Sequence, residues 1–150
     1  CQTLALVETQ TYLLLPASKG GSAVGVSKHP DELTGQFVKT VVPDETLIFQ
    51  YSALGFNSHK IHIDRSHARN VEGFPDLVVN GGLATLLLTE FLRNDVNVHP
   101  TGIKVRHIAP LFCGSPITMV AKQLEGKWQI QAYDHRFILA IDMEVDTYEL

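Results

Sequence analysis

The chain has 150 residues, 45% of them apolar and 19% charged, and a formal net charge of −4. That length suits one ordinary domain able to bury roughly two thirds of its unfolded surface, and the composition is globular rather than disordered. The acidic balance gives no electrostatic case for nucleic acid or an anionic membrane, and the two distant cysteines, Cys1 and Cys113, exclude a disulfide framework or a four-thiolate zinc site and fit a reducing compartment.

The chain opens on Cys1 with no initiator Met and no cleavable-type leader, which reads as a processed or cut chain with any targeting signal out of view. Residues 4–15 alternate loosely and stop at Pro16, the pattern of a strand, yet no hairpin partner follows. Lys19-Gly-Gly-Ser-Ala-Val-Gly-Val-Ser-Lys28 is linker-like. Three parts are therefore expected: a strand over 1–16, a linker over 17–35 and the main domain over 36–150. Residues 37–42 and 46–49 read as two short strands separated by a turn at Pro43-Asp44-Glu45. Further on, Leu83, Ala84, Leu86, Leu87, Leu88, Phe91 and Leu92 cover nearly every face of a helix, with Asn80 as its N-cap and Asn94-Asp95 as its stop. A helix apolar all round is a buried one, and its leucines are expected in the core; it is also far shorter than the roughly 20 apolar residues of a membrane span. Four β-type runs follow at 103–108, 117–121, 128–133 and 137–145. Strands after one central helix predict an α+β fold with an antiparallel sheet wrapped around one long buried helix, the arrangement known as the hotdog fold.

The most informative run is Tyr51-Ser-Ala-Leu-Gly-Phe-Asn57-Ser-His59-Lys-Ile-His62-Ile-Asp64, which brings two imidazoles and an amide just ahead of the helix that opens on Asn80-Gly81-Gly82. It resembles the signature of the R-specific enoyl-thioester hydratases of the MaoC-like group: aromatic, small residue, Gly-Asp-x-Asn-Pro-aliphatic-His and, after five residues, Ala or Ser. Ile61, His62 and Ala68 match in register, Asn57 stands where that group has its catalytic Asp, and His59 and Lys60 replace its Asn and Pro. Val78-Val79-Asn80-Gly81 resembles the later aliphatic-His-Gly element, with Gly81 matching the glycine whose amide serves the oxyanion hole and Asn80 replacing the His. Together with Val71-Glu-Gly-Phe-Pro-Asp-Leu-Val-Val79 and Ala109-Pro-Leu-Phe-Cys-Gly114, the departures resemble a subgroup. It comprises the type 2 3-hydroxyacyl-thioester dehydratases of fungal mitochondria and the bacterial mesaconyl-C4-CoA hydratases.

The resemblance implies a hydro-lyase interconverting (3R)-3-hydroxyacyl and trans-2-enoyl thioesters of CoA or acyl-carrier protein, with no metal or redox cofactor. It places Tyr51 and Asn80 at the substrate. It also implies a second hotdog half, in the same polypeptide or another chain. The opening strand would then be the last strand of that half, the two sheets would join edge to edge and a dimer is expected. A mitochondrial matrix location follows for a eukaryotic source and a cytoplasmic one otherwise; neither nucleic acid nor membrane is an expected partner.

On the residues' own chemistry, an imidazole with a pKa of ~6.5 takes or gives a proton near neutrality, and His62 is the first candidate. The amide of Asn57 is no base, so its expected part is to hold water or His62, leaving His59 as the second acid–base group. The helix start at Asn80 offers unpaired N–H groups, and Gly81 and Gly82 let a carbonyl approach them. Competing readings stand beside these. His59, His62, Asp64 and His67 have spacings a zinc or non-haem iron site also uses. His67 reads as a solvated residue on a short helix from Asp64, and Arg65 and Arg69 as either phosphate contacts or a solvated face. A hotdog thioesterase would want a carboxylate near the helix start, for which Glu72 and Asp76 are the candidates, and a non-catalytic acyl-thioester binder is the third possibility. His29, His99, His107 and His135 are lone and carry no functional weight at this level.

Overall fold

A computed structural model of the chain describes residues 5–11, 33 and 35–147. Five strands, β1 (Phe37–Val41), β2 (Pro100–His107), β3 (Ile117–Leu124), β4 (Lys127–Tyr133) and β5 (Leu139–Thr147), form one antiparallel sheet in the order β1-β3-β4-β5-β2. Among the described residues, four helices precede β2: α1 (Glu45–Leu54), α2 (Lys60–Ile63), α3 (Arg65–Asn70) and the 14-residue α4 (Gly81–Asn94).

Alternation along the strands decides which face of the sheet receives α4. Ile117, Met119 and Ala121 of β3, Trp128, Ile130 and Ala132 of β4, and Ile141, Met143 and Val145 of β5 join one cluster with Leu83, Ala84, Leu88, Phe91 and Leu92 of α4. Burial of this kind is worth about 25 cal/mol per Å² of apolar surface. The two-residue turn of the β3–β4 hairpin has φ of 47° at Glu125 and 83° at Gly126, the doubly positive geometry whose twist suits adjoining strands. On the opposite face the Asp142 carboxylate, only 6% exposed, is held by Arg106, Gln129 and Gln131.

The α+β class, the long helix and the four later strands are as expected, whereas two local readings are corrected. Residues 46–49 belong to helix α1 and not to a strand. The Asp44 carboxylate accepts from Leu47 N–H at 2.8 Å, and Ile48 and Ser52, one helical turn apart, bury the same face. Nor is α4 buried all round: Leu86 is 47% exposed. Of the expected opening strand, residues 5–11 have no regular secondary structure. The rest of it, and the linker apart from Leu33 and Gly35, lie outside the described residues.

Candidate functional site

The segment 77–80 runs into the start of α4 with neighbours tied to both sides. Val78 N–H donates to the Ile61 carbonyl and Val79 N–H to that of Leu111, while Cys113 N–H donates to the Leu77 carbonyl. Helix α3 is clamped to the same segment by charge: Arg65 reaches Asp76 at 2.8 Å and Glu45 at 3.0 Å, and Arg69 reaches Asp76 at 2.7 Å and the Pro75 carbonyl at 2.9 Å. Burial alone would raise the Asp76 carboxyl, but bonds from Arg65, Leu77 N–H and Arg69 outweigh it and hold the group below the usual carboxylate range. Arg65 and Arg69 are thus engaged by the chain's own carboxylates, and Glu72 faces His67 at 3.4 Å.

His62 is 9% exposed on the short helix α2, and its Nδ1–H donates to the Val78 carbonyl at 2.7 Å. A carbonyl only accepts, so the proton sits on Nδ1 and the lone pair on Nε2. Burial lowers the ring's pKa, the Val78 bond opposes this, and the neighbouring His59 lowers it further. The two rings lie 5.8 Å apart between centroids. His62 lines a cavity of about 220 Å³ with Glu45, Thr46, Phe49, Ile63 and Leu77.

A stability consequence follows from that lowered pKa. As pH falls, the unfolded chain takes up the His62 proton first, so the stability is present above about 6.5 and is lost as pH falls through the lower folded-state value. The denaturant midpoint should therefore hold at neutral pH and begin to fall below about 6.5, with a shallower fall in His62→Asn. An identical acid profile for the two proteins would refute this.

Asn57 and Asn80 both bond within the chain. The Asn57 side-chain oxygen accepts from His59 N–H at 3.1 Å, closing its own loop rather than bonding His62. Asn80 stands at the N-cap of α4 but makes no capping bond with its side chain. That side chain, in a residue 2% exposed, instead donates to Ser52 Oγ at 3.1 Å, because α1 brings a buried hydroxyl within reach. Tyr51, also on α1, covers the helix start: a Cβ on Gly82 would stand 2.1 Å from its hydroxyl. Sequence reasoning missed Ser52 and dismissed His107, yet the His107 ring would lie 3.3 Å from a Cβ on Gly81. Gly81 and His107 line a second cavity, of about 280 Å³. Among the described residues, no three His, Cys, Asp or Glu side chains converge as a metal would require. Asp64 caps α3 by accepting from His67 N–H at 2.9 Å.

A five-stranded antiparallel sheet packed on one long helix defines a hotdog fold. The same fold is found in an (R)-hydratase from A. caviae involved in PHA biosynthesis, at a TM-score of 0.65 and 18% identity over 74% of this chain and 92% of that one. The model of the family "hydroxyacyl-thioester dehydratase type 2" matches residues 1–113, and the chain belongs to that family. It is 45% identical over 94 residues to a mesaconyl-C(4)-CoA hydratase of Chloroflexus aurantiacus, covering 63% of this chain and 34% of the relative. A mitochondrial hydroxyacyl-thioester dehydratase type 2 of Schizosaccharomyces pombe is 28% identical over 89 residues, covering 57% and 30% respectively. The matched parts span about a third of the length of these two relatives.

Proposed function

We propose that the chain is the acid–base half of a hydro-lyase that interconverts (3R)-3-hydroxyacyl and trans-2-enoyl thioesters of CoA or acyl-carrier protein. The observation that carries this reading is His62, neutral, buried, with Nδ1–H committed to Val78 and Nε2 left as a base beside the start of α4. In the hydration direction Nε2 takes a proton from water as its oxygen bonds to C3. The electron pair of the double bond moves to give an enolate on the thioester oxygen, and C2 then receives the proton that Nε2 took from water, which leaves the ring neutral again. The first-turn N–H groups at Gly81 and Gly82, left without a side-chain cap by Asn80, are where that oxygen is held. Asn57 shapes the loop that carries His59 and His62.

The test is to mix the intact protein with crotonyl-CoA and follow both the conjugated enoyl absorbance and free thiol. Loss of absorbance without thiol supports the hydratase; thiol release would make it a thioesterase, and neither signal a binder. Asp76 argues against the thioesterase, because two arginines and a backbone N–H already occupy its carboxylate.

Asn57→Ala should reduce turnover less than the loss of His62 does, and Asn57→Asp should keep activity because a carboxylate oxygen accepts the His59 N–H equally well. An Asn57→Asp protein as inactive as one without His62 would mean that the amide N–H itself acts on the substrate.

We also propose that a second hotdog half pairs along β2. This strand lies at one edge of the described sheet, carries the exposed Ile103, and ends at His107 beside the Gly81 cavity. Sedimentation of the chain with and without Ile103→Lys is the check: association lost in the variant supports the edge, and an active monomer contradicts it. If the source is eukaryotic, the name of the yeast relative supports a mitochondrial location.

A further inference from the structure

The cavity of about 220 Å³ that His62 lines is smaller than the roughly 300–1,000 Å³ of small-molecule sites, so it holds a short run of carbons and not a whole thioester. Besides His62 its walls are Glu45, Thr46 and Phe49 of α1, Ile63 of α2, and Leu77. Exposure orders them from the outside in. Phe49, 60% exposed, and Ile63, also exposed, stand at the mouth, while Leu77 is buried and forms the inner end. Leu77 lies outside the cluster that packs α4 on the sheet, so this floor can change without disturbing that core.

The walls are fastened to one another. Arg65 bonds Glu45 at 3.0 Å and Asp76 at 2.8 Å, which ties the start of α1 to the residue before Leu77. The Ile61 carbonyl and the His62 ring bond the two backbone groups of Val78, at 2.9 and 2.7 Å, and so hold α2 to the residue after it. Leu77 itself donates its N–H to Asp76 and accepts at its carbonyl from Cys113 N–H, bonds that do not depend on its side chain. A cavity with walls held in this way has a fixed depth, and a chain that outgrows it must displace packed groups.

The next step rests on the hydro-lyase reading, in which His62 works at C2 and C3 of the thioester. Carbons beyond C3 must then fit the space that His62 borders. A large apolar side chain left in water, as Phe49 is, gains when a chain of carbons covers it. We propose that this cavity is the acyl subsite, and that Leu77 at its inner end and Phe49 at its mouth restrict the substrate to short acyl chains.

Steady-state hydration of crotonyl-CoA and trans-2-octenoyl-CoA by the intact protein tests this, with Leu77→Ala and Phe49→Ala as variants. The wild type should have a kcat/KM at least about tenfold higher on the shorter substrate, since one methylene in an apolar pocket decides a factor of that order. Leu77→Ala takes most of the side chain from the floor and should raise the octenoyl-to-crotonyl ratio of kcat/KM by roughly tenfold. Phe49→Ala alters an exposed residue, keeps the fold, and should move the ratio the same way to a smaller extent, so it decides the matter if Leu77→Ala is too unstable to assay. A wild type that hydrates both substrates equally well, or a ratio unmoved in the folded variants, overturns the subsite and leaves the hydro-lyase reading standing. A wild type that hydrates neither overturns both.

Discussion

His62→Ala is expected to lower turnover by roughly 10²–10⁴-fold, the usual contribution of a positioned acid–base group. Alanine also removes a buried hydrogen bond to Val78, so a fall in activity alone would not separate chemistry from folding. His62→Asn makes the separation: asparagine places an N–H where Nδ1 stood and keeps the Val78 bond, but offers no base where Nε2 was. Both variants should lose activity to the same extent, while the asparagine protein keeps the wild-type unfolding midpoint at neutral pH. Near-normal turnover of crotonyl-CoA in His62→Asn would remove this ring from the chemistry.

Gly82→Ala should be the second severe change, and for a steric reason. Its Cβ would stand 2.1 Å from the Tyr51 hydroxyl and 3.1 Å from the ring carbon that bears it, closer than non-bonded atoms sit. Either the tyrosine ring or the helix start must move. Displacing an oxyanion donor costs up to about 10²–10³-fold in turnover. In the absence of a clash, alanine in a helix would stabilise by up to about 1 kcal/mol over glycine, so a lowered unfolding midpoint would itself report the collision. Adding Tyr51→Phe removes the closest atom and should recover part of both losses. If Gly82→Ala is as active as the parent, the enolate oxygen is not held at this turn. Gly81 has more room, since its nearest neighbour is a His107 ring carbon 3.3 Å away, and alanine there should be milder.

Periodicity exposed the sheet and the long helix because β3, β4 and β5 alternate against a single core and α4 repeats with a helical period. It failed at 46–49, where apolar residues in succession fit a strand and a half-buried helix alike. The arbiter there is a cap three residues away, Asp44 to Leu47, which hydropathy does not register. It overstated the burial of α4 for a related reason: Leu86 is apolar but faces outward, and which side a partner covers is not a property of the helix alone.

At the site, the motif run brought out His59, His62 and Asn57 because they are near one another in the chain. His107 lies 45 positions after His62 in the numbering and reaches the helix start only because β2 follows the edge of the sheet past it. Local pattern carries no trace of that approach. The roles of Asn80 and Ser52 were hidden likewise, since an asparagine ahead of a helix signals a cap, and only the packing of α1 offers it a different partner.

That buried partnership limits how the family position at 80 can change. Ser52 and Asn80 are each 2% exposed and hydrogen-bond to one another. Replacing either alone strands the other's polar atoms away from water, at about 1–3 kcal/mol. An imidazole at 80 keeps the Ser52 hydroxyl satisfied only where one of its ring nitrogens reaches the place that the amide now fills.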